Sequence, residues 1–363
     1  VSVVGVNDPA VQPGAGDVRR SISAGNKERS AWRGAGVFLV SFAAYWLAVL
    51  GVVALPWWPG RLACAGLAGF LLGTLLAIGH DAGHGSLTPW GWLNALLGRL
   101  AFLPALHPFS IWERGHDRVH HDFTNLRGYD YVWAPLAKAE FDALPWHQRL
   151  LQRAYRTVPG MGLYYFVEFW VKHAVLRHKS VRLRDKIHYG WAATLDQLLV
   201  LAFLLAQAAA LLPAHDYFAG LFGFAALPPA VVLALAILAP FAAFCWLGGF
   251  FTFQHHTHPR IRWYADRAEW SFFKGAVEGT AHIVYPLPVA LLLHRLMEHT
   301  AHHVDAKIPL YRLAGGQREL EEVFPGIVVE RFSVKNLLRT LSVCRLYDYQ
   351  NHRWLGFDGR PTT

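Results

Sequence analysis

The chain has 363 residues, of which 54% are hydrophobic and only 16% charged, and its formal net charge is +9. A soluble domain carries about 25% charged residues, so this composition excludes an ordinary soluble protein and points to an integral membrane one. The positive balance would suit nucleic acid, but beside long apolar runs it fits a cytoplasmic face against anionic lipid, and no nucleic-acid partner is expected.

Residues 1–34 mix Gly, Ser, Asn, Pro and charges without an apolar period. They read as a mobile cytoplasmic tail, not a signal peptide. Val37 to Leu55 is an apolar run long enough to span about 30 Å of hydrocarbon. A turn with Trp57 and Trp58 follows, and Leu62 to Ile78 runs back, delivering His80 to the side of the N-terminus. Arg19, Arg20, Lys27, Arg29 and Arg33 precede the first run, whereas the turn has no Lys or Arg. The positive-inside rule therefore places the N-terminus and His80 in the cytoplasm. Trp90 to Leu106 is short and broken by Gly and Pro, as in a re-entrant or interfacial hairpin. Leu163 to Leu176 alternates aromatic and polar residues and suits the membrane interface.

Trp191 to Leu212 is a third span, Pro213 to Pro229 lacks Lys and Arg, and Val231 to Thr252 is a fourth span. Beyond Pro259 the chain is charged, with one short apolar helix expected from Ile283 to Leu293. The fold expected is all-α: four transmembrane helices under a cytoplasmic helical cap. Its parts are the tail 1–34, a membrane domain 35–320 and a cytoplasmic C-terminal segment 321–363.

Histidine is the anomaly, with 20 residues. Three clusters stand out: His80-Asp-Ala-Gly-His84, His116-Asp-Arg-Val-His120-His121 and Glu298-His299-Thr-Ala-His302-His303. A fourth stretch, Gln254-His255-His256-Thr257-His258, closes the last span. All four fall on one predicted membrane face. In an α-helix His116 and His120 share a face while His121 points about 100° away. His80 and His84 have i, i+4 spacing, and His299, His302 and His303 also present one face. Neutral imidazole suits Zn, Cu, Fe and Ni. Eight imidazoles exceed what one four-coordinate zinc uses, so two six-coordinate ions fit the supply better. Asp81, Asp117 and Glu298 sit beside the clusters as candidates to orient imidazole N–H groups. Isolated histidines such as His107, His178, His188 and His215 read as core or surface residues, and His282 and His294 as weak candidates. Cys64, Cys245 and Cys344 lie far apart, without a CxxC pair, and imply neither a disulfide framework nor a thiolate site.

HDAGH, HDRVHH and HTAHH resemble the three histidine boxes, HX3–4H, HX2–3HH and HX2HH, of the membrane fatty acid desaturase superfamily. FQHHTHP after the fourth span and Ile308-Pro-Leu-Tyr311 look like bacterial acyl desaturases. The resemblance covers residues 35–320. It implies two non-haem irons held by His80, His84, His116, His120, His121, His299, His302 and His303, with a ninth ligand from the fourth stretch. His256 is favoured there, with His255, His258 and His294 as alternatives.

The resemblance further implies O2-dependent removal of two hydrogens from adjacent methylenes of a fatty acyl chain, in a multi-pass protein of the bacterial cytoplasmic membrane. Neither a His-Pro-Gly-Gly haem motif nor a Cys cluster is present, so a separate electron donor such as ferredoxin is implied. Arg118 and Lys274 are candidates to steer an acidic donor. Trp112, Trp263 and Trp270 are read as interface anchors rather than channel lining. Hydroxylation or alkene-forming decarboxylation shares the same boxes. A metal transporter would need ionisable groups near the bilayer midplane, and the four spans hold almost none.

Overall fold

A computed structural model describes residues 12–177 and 189–363. The first eleven residues of the expected tail, and His178 and His188, lie outside the described residues. Among the described residues, four helices are long and apolar enough to cross a membrane: Ala31–Ala54, Trp58–Gly83, Gly190–Phe222 and Pro229–His256. Ser30 caps the first by accepting the amide of Arg33, and Pro59 sits in the first turn of the second, where its missing N–H costs nothing. The third runs past Leu212 to Phe222 with Pro213 inside it, so the expected break at that proline does not occur. A membrane helix tolerates the lost hydrogen bond more readily than a soluble one.

The second and fourth spans form the centre. Small residues let their backbones approach: a Cβ on Gly69 would lie 2.5 Å from that of Ala243. Gly249 is closed in the same way by the carbonyl of Met161, which a Cβ would meet at 2.0 Å. Antiparallel threading brings the last turn of both spans, with His80 and His256, to the same end. The third span stands at the edge, where Leu195, Leu198, Leu201 and Leu205 are exposed, as side chains facing lipid tails would be.

Over that end lie short helices, among them Gly91–Phe102, Phe109–Gly115, His299–Val304 and Leu313–Val323. Trp90 to Leu106 is one helix followed by a tight turn with Leu106 at φ 54°, rather than a hairpin. The fold is mostly helical, as expected, and among the described residues it adds two small sheets. β1 (Ala281–Val284) pairs in parallel with β2 (Val328–Arg331), and β3 (Leu346–Asp348) pairs antiparallel with β4 (Arg353–Leu355). The helix expected from Ile283 to Leu293 is accordingly a strand, then a turn at Pro286, then a helix over Leu287–Leu292. Proline disfavours helix at the residue before it, and β-branched Ile283 and Val284 suit a strand.

The tail is also corrected over its described part. Ala15–Arg20 is helical and Ala24–Lys27 forms a 3-10 turn. Val18 and Ile22 are buried. Arg19 Nε donates to the Val304 carbonyl at 3.1 Å, and Lys27 pairs with Asp305 at 3.1 Å. Two apolar side chains at i, i+4 make a docking face that the low average hydrophobicity of the segment conceals.

Candidate metal centre

His116–His121 is wound as a π-helix. With this wider, i→i+5-bonded turn, the ring nitrogens of His116 and His121, not those of His116 and His120, converge. Their Nε2 atoms lie 3.1 Å apart, while His120 Nε2 turns to His256 Nε2 at 3.1 Å. The α-helical phase expected for this stretch is therefore corrected. π turns recur at functional sites, and this one divides a single box between two clusters.

Among the described residues, nine histidines gather into two groups. One holds His80, His84, His116, His121 and His302; the other holds His120, His256, His299 and His303. Within each group the ring nitrogens lie within 4.8 Å of one another. All nine rings are buried or half-buried. Burial, reinforced by the neighbouring imidazoles, holds His116, His121, His299, His302 and His303 well below the usual imidazole range. They are neutral, the form that binds metal.

Several rings have one nitrogen fixed from outside. His84 Nδ1 donates to Asp117 at 3.0 Å and His120 Nδ1 to Asp130 at 2.9 Å. Thr124 gives its hydroxyl proton to the His120 carbonyl at 2.6 Å, so it accepts from His303 Nδ1 at 3.1 Å. Neutral imidazole carries a single N–H, so Nε2 of His84, His120 and His303 bears a lone pair. In His84 and His303 that atom is buried with no hydrogen-bond partner among the described residues.

The nitrogens also converge. His121 Nε2 lies 3.1 Å from the Nε2 atoms of both His116 and His302, and His256 Nε2 lies 2.9 Å from that of His299 and 3.1 Å from that of His120. One nitrogen cannot serve two in-plane hydrogen bonds. A cation at a metal–nitrogen distance of about 2.1 Å would give right-angle ligand edges of about 3.0 Å and tetrahedral edges of about 3.4 Å. The spacing fits six-coordinate ions, and the donor set fits a metal of intermediate softness.

Of the acidic residues beside the clusters, Asp81 lies 3.4 Å from His80 Nδ1 and accepts the Leu310 amide at 2.6 Å. Asp117 reaches His84. Glu298 does not serve a box histidine: its Oε1 accepts from Arg295 at 3.0 Å, because it precedes the third-box helix and points off the face carrying His299. Asp130 and Thr124 fill the orienting role unforeseen. They lie in the loop after the second box, with no motif to single them out.

The alternative ligands sit elsewhere. His255 stacks on the His299 ring at 3.7 Å and meets Met297 Sδ at 3.2 Å. His258 Nδ1 accepts the Arg260 amide, and His294 contacts Ser41 at 3.2 Å. His282 pairs with Glu321 at 2.6 Å.

Residues 56–335 match the family model for fatty acid desaturases. The chain belongs to the fatty acid desaturase family. It is 31% identical over 326 residues to the sn-1 oleoyl-lipid 12-desaturase of Synechocystis sp., covering 88% of this chain and 85% of the relative. It is 28% identical over 325 residues to the chloroplastic omega-6 fatty acid desaturase of Spinacia oleracea, covering 88% and 66%. The sn-1 acyl-lipid omega-3 desaturase (ferredoxin) of Nostoc sp. is 28% identical over 269 residues, covering 71% and 66%. The protein is thus an oxidoreductase of lipid metabolism.

In this desaturase an apolar cavity touches both histidine groups. Leu76 and Ala77 of the second span, Phe251 of the fourth, Val132, Phe169 and Leu296 make its apolar wall. Trp112 belongs to that wall and stacks on the His116 ring at 4.4 Å. The expectation that Trp112, Trp263 and Trp270 anchor the interface is corrected. Trp263 is buried in a cluster with Cys344, Tyr347 and Trp354, and Trp270 is buried with its indole N–H on the Thr124 carbonyl at 2.7 Å.

Proposed function

We propose that this desaturase introduces a double bond into an acyl chain of a membrane lipid, with O2 as oxidant and electrons from a separate donor protein. The observation that carries this reading is the apolar cavity that leaves both histidine groups and runs between the second and fourth spans. Two irons are the proposed metals, one held by His80, His84, His116, His121 and His302, the other by His120, His256, His299 and His303. When bound, iron supplies the O2 reduction and oxidising power that no side chain has.

The residues of the chain do the rest. Asp117, Asp130 and Thr124 keep the proton on Nδ1 of their histidines and so present Nε2 inward. Leu76, Ala77, Val132, Phe251 and Leu296 bury the methylenes, exclude water and hold the chain extended against the imidazoles. Trp112 braces the His116 ring and forms part of the same wall.

Relatives named for oleoyl-lipid 12 and omega-6 desaturation support a monounsaturated acyl-lipid as the substrate class. The relative named with ferredoxin supports an iron–sulfur carrier as donor, and exposed Arg118 beside the second box is suited to meet an acidic protein. The arginines and lysines before the first span support a cytoplasmic location for both termini and the histidine groups.

Gas chromatography–mass spectrometry of lipids from cells expressing the protein tests this reading, beside a His120→Ala control. A new diunsaturated chain that appears only with the intact protein is expected. A hydroxylated or chain-shortened product would transfer the same site to a different outcome, and an unchanged lipid profile with donor and oleoyl-lipid supplied would overturn the reading.

A further inference from the structure

The acyl cavity ends on a buried polar bond. Its wall runs back along the second span from His80 to Gly73 and along the fourth from His256 to Gly248. At 1.5 Å per residue this is about 10 to 12 Å from the imidazoles toward the bilayer. At that end lies Tyr165, 2% exposed, in the first turn of a π-helical stretch over Tyr165–Val175. Its ring presses on Gly248, where a Cβ would stand 2.6 Å from it. It stacks on Phe169 at 5.1 Å and meets Phe244 edge-on at 5.4 Å. Behind it, its hydroxyl is bonded to Nε2 of buried His107 at 2.8 Å. The left-handed turn at Leu106 sets His107 in place, with its amide on the Phe102 carbonyl at 3.1 Å.

A buried hydroxyl is costly without a partner. Here the partner lies away from the cavity, so the bond spends the hydroxyl, fixes the ring and leaves an aromatic face toward the chain. Such a floor suits a methyl terminus and has nothing to offer a polar head.

We propose that Tyr165, locked by His107, is the specificity-determining floor that places the double bond by its distance from the methyl end of the substrate. The inference rests on the acyl-desaturase reading and names the register of that same site. An extended chain advances about 1.25 Å per carbon, from a C–C bond of about 1.5 Å. The slot therefore takes the methyl-end segment of the chain beyond the imidazole level, and the reacting pair is set from the methyl end whatever the total chain length.

The test is the double-bond position in products of the full-length protein and its variants, expressed with lipids of 16 and 18 carbons. The wild type is expected to keep one distance from the methyl end on both chains; one distance from the carboxyl end instead would overturn the proposal. Tyr165→Ala deepens the slot and should move the bond about two to four carbons toward the carboxyl end. Gly73→Ala shallows it and should favour shorter chains or a bond nearer the methyl end. An active Tyr165→Ala or Gly73→Ala with the wild-type register would overturn the proposal. If neither variant turns over, thermal stabilisation of each by lipids of graded chain length reads the same slot. Tyr165→Ala should then prefer longer chains than the wild type, and an unchanged preference would overturn the floor. A wild type without any unsaturated product is a different failure, that of the desaturase reading itself.

Discussion

His120 and Asp130 form the tightest support in the site. Asp130 Oδ1 accepts from His120 Nδ1 at 2.9 Å and from the Val132 amide at 3.0 Å, while Oδ2 accepts the Asn125 amide at 2.9 Å. The carboxylate is 3% exposed, so no water can take its place. One side chain thus winds the loop after the second box and sets the tautomer of a proposed ligand. Asp130→Ala should weaken metal binding by the group of His120, His256, His299 and His303 by about 10- to 100-fold. Metal titration of the purified variant checks this, and wild-type affinity would show that the ring is held by other means.

Asp117 offers the comparison. It makes the same kind of bond to His84, yet its side chain is 49% exposed. Water can replace it at His84 Nδ1 at little cost. Asp117→Ala should therefore reduce metal affinity less than Asp130→Ala does, in the same titration.

The π turn of the second box gives a sharper prediction. Arg118 is exposed, so deleting it removes no buried contact. The deletion brings His116 and His121 to α-helical spacing and pulls His120 out of phase with His256. Metal and activity should be lost together while circular dichroism keeps the helical signal. Retained metal would mean that the winding of this turn does not divide the box.

These cases show what the sequence discloses. The spans are legible because about twenty consecutive apolar residues have few other uses. His80 with His84, and His299 with His303, are legible because i, i+4 spacing puts each pair in one group, whereas His302, expected on the face of His299 and His303, joins the group of His80 and His84. The second box misleads because no residue pattern announces a π turn, and its phase decides which group each ring joins. Asp130 and Thr124 stay hidden because only the folded loop brings them to the rings. Glu298 attracts attention by adjacency alone, and the helix turns it toward Arg295.

The N-terminal segment is the other case where local composition misleads, and it can be measured. Ile22 is 2% exposed against the cap. Ile22→Ala should cost about 2–4 kcal/mol and lower the unfolding temperature in detergent. Lys27→Ala, which removes a half-buried ion pair with Asp305, should cost less. An Ile22→Ala protein as stable as the wild type would mean that the segment does not hold the third box.

The central claim is a two-iron centre divided five to four between histidine groups. Iron content per chain of the full-length protein, purified from iron-supplied cells, tests it most directly, with His302→Ala and His303→Ala as probes of one group each. The account predicts two irons for the wild type and a partial loss in each variant, from a different group in each. One metal per chain, zinc in place of iron, or full iron in both variants would contradict it.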